Sequence, residues 1–162
     1  MELSAAGLEL LKKSEGFRSH VYLDLEGWPT IGYGHRLVHP ESFPAGIDEA
    51  QAAGLLAADV REAEQAVERM VNVPLAQGQF DALVDFCFNL GAGKLAGSTI
   101  LKDLNAGRYD AAGEQLLRWD HAGTSVNAGL KARREAEFQL WHGDSAFPKG
   151  IKSANSHAVL QV

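Results

Sequence analysis

The 162-residue chain has a single cysteine and no apolar run near the roughly 18 residues needed to cross a bilayer. Cys87 has no internal partner for a disulfide, which suits folding in a reducing compartment. Set between Phe86, Phe88 and Leu90, it reads as a small buried hydrophobe, with no His/Asn arrangement nearby to mark a thiol nucleophile. The amino end, Met1-Glu2-Leu3-Ser4, carries acid where a secretory leader carries positive charge. Positive charge is scarce throughout: Lys+Arg number 15 against 21 Asp+Glu, a formal net charge of −6. Nucleic acid is disfavoured as a partner, because phosphate binding needs clustered cations. The short basic run Lys131-Ala132-Arg133-Arg134 lies in a helical pattern with Glu135 and Glu137 and reads as a solvated face salted with both signs.

Several chemistries lack their spacing. His20, His35, His39 and Glu41 show neither His-Glu-x-x-His nor paired-Cys spacing, so no metal is expected. Gly91-Ala92-Gly93-Lys94 is not a phosphate loop, and Gly123-Thr124-Ser125 is not a nucleophile elbow. No cofactor is implied.

What is present is an ordinary globular composition, 46% hydrophobic and 22% charged, enough for a core without staples. The length fits one domain, or one with two small lobes. Ser4 should cap a first helix, with Leu3 and Leu8 placed as a hydrophobic staple. Leu8, Leu11 and Glu15 share one face, and Gly16 suits the residue that ends it. Residues 17 to 35 change period: His20 to Leu23, a turn at Asp24-Leu25-Glu26-Gly27, then Trp28 to Tyr33 predict a short antiparallel hairpin or meander. Pro29 fits a strand start, and Gly32 and Gly34 leave one strand face bare for a close approach. Asp48, with Gln51 three positions on, predicts a capping box for a long helix running to about Val71. The rest reads as helical: a strongly apolar helix through Phe80, Leu83, Val84, Cys87 and Leu90 to Gly91, a short one capped by Ser98, another over Ala111 to Trp119, and a last one closed by Gly143. From Asp144 the pattern dissolves into a tail, in which Ala158-Val159-Leu160 could still dock.

Glu15 closes a helix and Asp24 follows in a β-type run, with Thr30 six positions further. Two acids brought toward one cleft, one protonated and one ionised, are the minimum equipment for breaking a glycosidic bond. A carboxyl at the end of an apolar stripe is partly desolvated, and desolvation raises its pKa. Taken alone, however, most acids are surface charges.

At these residues the chain resembles a known family. Glu15-Gly16-Phe17-Arg18 with Tyr22-x-Asp24, followed by Gly27 to His35, is similar to the signature of phage-type lysozymes (glycoside hydrolase family 24, the T4-type endolysins), closest to the lambdoid, P22-like branch. Gln79 to Gly91, Trp119 to His121 and Gly129 to Trp141 resemble the family as well. The resemblance implies an α+β fold, mostly helical and two-lobed, with a small β-hairpin or sheet in the first lobe. Residues 1–143 would form the lysozyme domain, with the small lobe over about 14–60, the helical lobe over about 61–143 plus the first helix, and residues 144–162 as a tail. It implies an endolysin, a muramidase that hydrolyses the β-1,4 bond between N-acetylmuramic acid and N-acetylglucosamine and so lyses the host cell. By motif position Glu15 is the general acid, Asp24 stabilises the transition state and orients water, and Thr30 holds that water on the far ring face. Water attack from that side gives inversion. Tyr33, His35, Phe88 and Asn89 are candidates for substrate binding, packing being the competing reading. The partner is the peptidoglycan glycan strand, with no nucleic acid and no stable membrane insertion, and the protein is expected to be a monomer. It would wait in the host cytoplasm until a holin-type pore gives access to the wall. A lytic transglycosylase, a virion-associated lysozyme and a non-catalytic wall-binding module are the alternatives. Many enzymes acting on anionic walls are basic; an acidic chain implies weaker electrostatic capture.

Overall fold

The computed structural model describes residues 1–24 and 26–143; the expected tail at 144–162 lies outside them. Helix α1 (Ala5–Glu15) starts where expected: Ser4 is extended and its hydroxyl accepts from the Gly7 amide. Its end is equally local, for Gly16 takes φ +70° and donates to the Lys12 carbonyl. Both expected features of α2 (Glu49–Met70) are present, with Asp48 and Gln51 forming a reciprocal capping box. At 22 residues this helix is about 33 Å long.

Strands β1 (Arg18–Leu23), β2 (Pro29–Gly32) and β3 (His35–Arg36) form an antiparallel sheet in chain order. Pro29 opens the central strand, where its missing N–H costs no ladder bond. The bare glycine edge is used twice. At Gly32, φ is +66° and a side-chain carbon would stand 3.1 Å from the Ala52 methyl, so the sheet lies directly on α2. At Gly34 the neighbour is Glu15, at 3.6 Å from where a side chain would begin.

Helix α3 (Gln77–Leu90) is buried over ten consecutive residues, Gly78 to Cys87. Such a helix has no solvated face and must be covered on all sides. It packs against α1, α2, α4 (Ala92–Ala96) and α7 (Ala128–Gly143). Each of Phe80, Leu83 and Phe86 contributes about 1.5–3 kcal/mol by burial. Helices α5 (Thr99–Asn105, capped by Ser98) and α6 (Tyr109–Leu116) pair with each other, and α6 leans on α7. The fold is α+β and mostly helical. Four elements go beyond the sequence expectation: β3, the short helix α4, and the strands β4 (His121–Ala122) and β5 (Ser125–Val126) of a two-stranded ribbon. Each is too short to carry a periodic signal. Cys87 is buried and free, and burial pushes its thiol up. Among the described residues no helix is long and apolar enough to cross a membrane.

Candidate active site

Of the run on α7 expected to be solvated, Lys131 and Glu135 are exposed, but Arg133, Arg134 and Glu137 are buried, and Arg133 supports Glu15. Arg133 is covered, and its Nε and Nη2 donate side-on to Asp85 at 2.7 and 3.1 Å. Its Nη1 reaches Glu15 Oε1 at 2.7 Å. Desolvating a guanidinium is tolerated because Asp85 and Glu15 engage it along both edges. The start of α1 is tied to the same helix: the Ser4 amide donates to Asp81 Oδ1 at 3.0 Å, and its hydroxyl donates to the other oxygen. Asp81 and Asp85 lie four residues apart, on one face of α3. They therefore hold α1 at both ends, the second through Arg133. Glu15 is not the acid isolated in apolar surroundings that the sequence predicts. One of its oxygens is bound by Arg133 and the other faces the Gly34 turn. Behind Arg133, Glu137 is fully enclosed, and burial first, then neighbouring Asp85, push its carboxyl well up.

Asp24 sits in the turn from β1 to β2, and its Oδ1 accepts from the amides of Glu26 and Trp28, each at 2.9 Å. Arg36 Nη2 lies 2.9 Å from Oδ2. The Trp28 amide first, with Glu26 and Arg36, holds the Asp24 carboxyl below the usual carboxylate range. Thr30, 2% exposed, donates its hydroxyl proton to the Trp28 carbonyl at 2.9 Å. The same carbonyl accepts the Asp24 amide at 3.0 Å. Asp24 and Thr30 are thus fixed to one peptide unit, and the Thr30 oxygen keeps its lone pairs for a donor such as water. The strand carrying Thr30 leads into the Gly34 turn, which faces Glu15 at the end of α1.

A family model described as phage lysozyme matches residues 12–137. The chain belongs to the phage lysozyme family. It is 40% identical to the endolysin of Salmonella phage P22 over 137 residues, covering 83% of this chain and 94% of that one. Identity to the endolysin of Bacillus phage B103 is 42% over 98% of this chain, which spans 64% of that protein's length. Among solved structures, the muramidase domain of SpmX from Asticaccaulis excentricus superposes with a TM-score of 0.80 at 36% identity, covering 87% of this chain and 97% of that one.

Within this phage lysozyme frame, the predicted substrate-binding residues have other neighbours. Tyr33 is buried and packs on Phe17, ring centres 5.6 Å apart. Phe88 packs against the core, and Asn89 Oδ1 accepts from Arg134 Nη2 at 2.6 Å. His35 is held between two acids, Nδ1 2.9 Å from Asp59 and Nε2 3.1 Å from Glu41. Only imidazolium donates from both nitrogens. Burial opposes that charge, but Asp59 and then Glu41 outweigh it and raise the histidine pKa. The Val38 amide and then His35 lower Glu41. The raised histidine stabilises fully below its unfolded pKa, about 6.5, and the contribution is lost as pH rises through the folded value. The lowered Glu41 stabilises above its unfolded value, about 4.3, and that part is lost as pH falls through the folded one. Both are complete between about pH 4.3 and 6.5. Melting curves of wild type and His35→Asn should differ most in that window and converge at alkaline pH. A constant difference from pH 5 to 9 would mean that His35 acts by packing alone.

Sequence reasoning missed Arg133, Asp85 and Arg36. For the first two a signal existed: acids at 81 and 85 inside an otherwise apolar helix cannot stay unpaired.

Proposed function

We propose that the chain is a muramidase of the endolysin type, cleaving the β-1,4 bond between N-acetylmuramic acid and N-acetylglucosamine in peptidoglycan. The observation that carries this is the division between the two acids. Asp24 is locked as an anion by two main-chain amides and Arg36. Glu15 is anchored through one oxygen, which leaves Oε2 to protonate the leaving oxygen of the scissile bond. Asp24 then faces the positive charge growing on the sugar ring. Thr30, its proton given to Trp28, accepts from a water, and Asp24 takes that water's other proton as it attacks. Attack opposite the leaving group inverts the anomeric centre. Residues of about 14–60 would form one lobe and the remaining helices the other, with the glycan between them. The wall is the site of action, reached from the cytoplasm through a pore.

Product analysis tests this reading. Mass spectra of digested peptidoglycan should contain muropeptides ending in reducing N-acetylmuramic acid, each 18 Da heavier than its anhydro form, because hydrolysis adds one water. A digest dominated by 1,6-anhydro ends would make the protein a lytic transglycosylase and leave Thr30 without its role. Proton NMR of the nascent product should show the α-anomer first.

A further inference from the structure

Two of the three tryptophans belong to the packed interior. Trp141 is buried, and Trp119 stands edge-on to Phe86 at 5.2 Å. Trp28 is 55% exposed. An indole in water gives up the burial that makes the residue worth placing, so its surroundings decide what it is for. Strand register gives them. Tyr22 pairs with Thr30 and Leu23 with Pro29, and the ladder continues through the Asp24 amide to the Trp28 carbonyl. Thr30 pairs in turn with Arg36. Strand alternation then puts Tyr22, Asp24, Trp28, Thr30 and Arg36 on one face of the sheet. The Arg36–Asp24 contact agrees with this placement.

We propose that Trp28 is a sugar-stacking residue, its indole face packing against the pyranose ring bound beside Asp24 and Thr30. The proposal rests on the glycan-cleaving reading above. A pyranose ring has an apolar face of C–H groups and a hydroxyl rim, and an indole offers a flat apolar face with one N–H donor at its edge. The position is already rigid. The Trp28 amide donates to Asp24, its carbonyl accepts from Asp24 and Thr30, and Pro29 follows. The main chain here has little freedom left to lose when a ring is bound. Trp28 enters every one of these bonds through its main chain, so Trp28→Ala removes the indole and keeps the turn.

The test uses the whole protein and the N-acetylglucosamine tetrasaccharide as probe. Tetrasaccharide should shield Trp28 from acrylamide quenching and shift its emission to the blue in Glu15→Gln protein. Affinity for the probe should fall about tenfold in Glu15→Gln/Trp28→Ala and largely return with Trp28→Tyr. On peptidoglycan, Trp28→Ala alone should raise KM by about tenfold and leave kcat within about threefold, with an unchanged melting temperature. Equal affinity with and without the indole, quenching unaltered by the probe, or failure of the parent to bind it would each overturn the proposal. The catalytic reading is decided separately, by turnover of the single Glu15→Gln variant.

Discussion

Glu15→Gln should lower turnover of purified peptidoglycan by about 10²- to 10⁴-fold, the range a positioned general acid supplies. The substitution is nearly isosteric and leaves an oxygen to accept from Arg133 Nη1, which keeps Asp85 as its main partner. Melting temperature should therefore hardly move, and the loss belongs to kcat. Glu15→Asp provides the complementary reading. It retains an acid but draws it back by one methylene toward its own main chain, away from the Gly34 turn, and a misplacement of about 1 Å costs on the order of 10²-fold. Zymography beside wild type gives the direction, and released reducing ends give the magnitude. Turnover within a few fold of wild type for the glutamine variant would remove Glu15 from the chemistry.

The largest loss of stability should come from Asp85→Ala. It removes the doubly bonded partner of an enclosed guanidinium, and breaking a buried pair from one side costs about 3–5 kcal/mol. Against a total of about 5–15 kcal/mol, that puts the variant near the edge of folding. Arg133→Met alone strands Asp85 and should cost about as much. The double variant leaves neither charge unpaired, so its loss should fall short of the sum by about 0.5–3 kcal/mol. Urea unfolding of the four proteins checks this cycle. Strict additivity would mean that the two side chains are neighbours without being coupled. Both single variants should lose activity beyond their stability loss, because Glu15 is positioned through Arg133.

Most of the fold is legible from local rules. The caps at Ser4, Asp48 and Ser98 and the helix end at Gly16 depend on residues within four positions of each other. Pro29 at a strand start and the glycines at 32 and 34 are equally local. Asp24 and Thr30 were legible for the same reason, since both hang on Trp28 in one turn. The support of Glu15 was not. Its partner lies 118 residues away, on a run of mixed charge that on any isolated helix would be solvated. Only the burial of α3 makes Arg133 an interior residue, and burial is a property of the assembled fold. The pair Arg134–Glu137 is buried for the same reason.

The tie between residues 15 and 133 also bears on when the protein becomes dangerous to the cell that makes it. A nascent chain still short of α7 has its acid but not the guanidinium that aims it, however well the first helix and sheet have formed. With Glu15 in its proposed role, competence waits for α7, and a product truncated before that helix lacks the guanidinium that aims the acid.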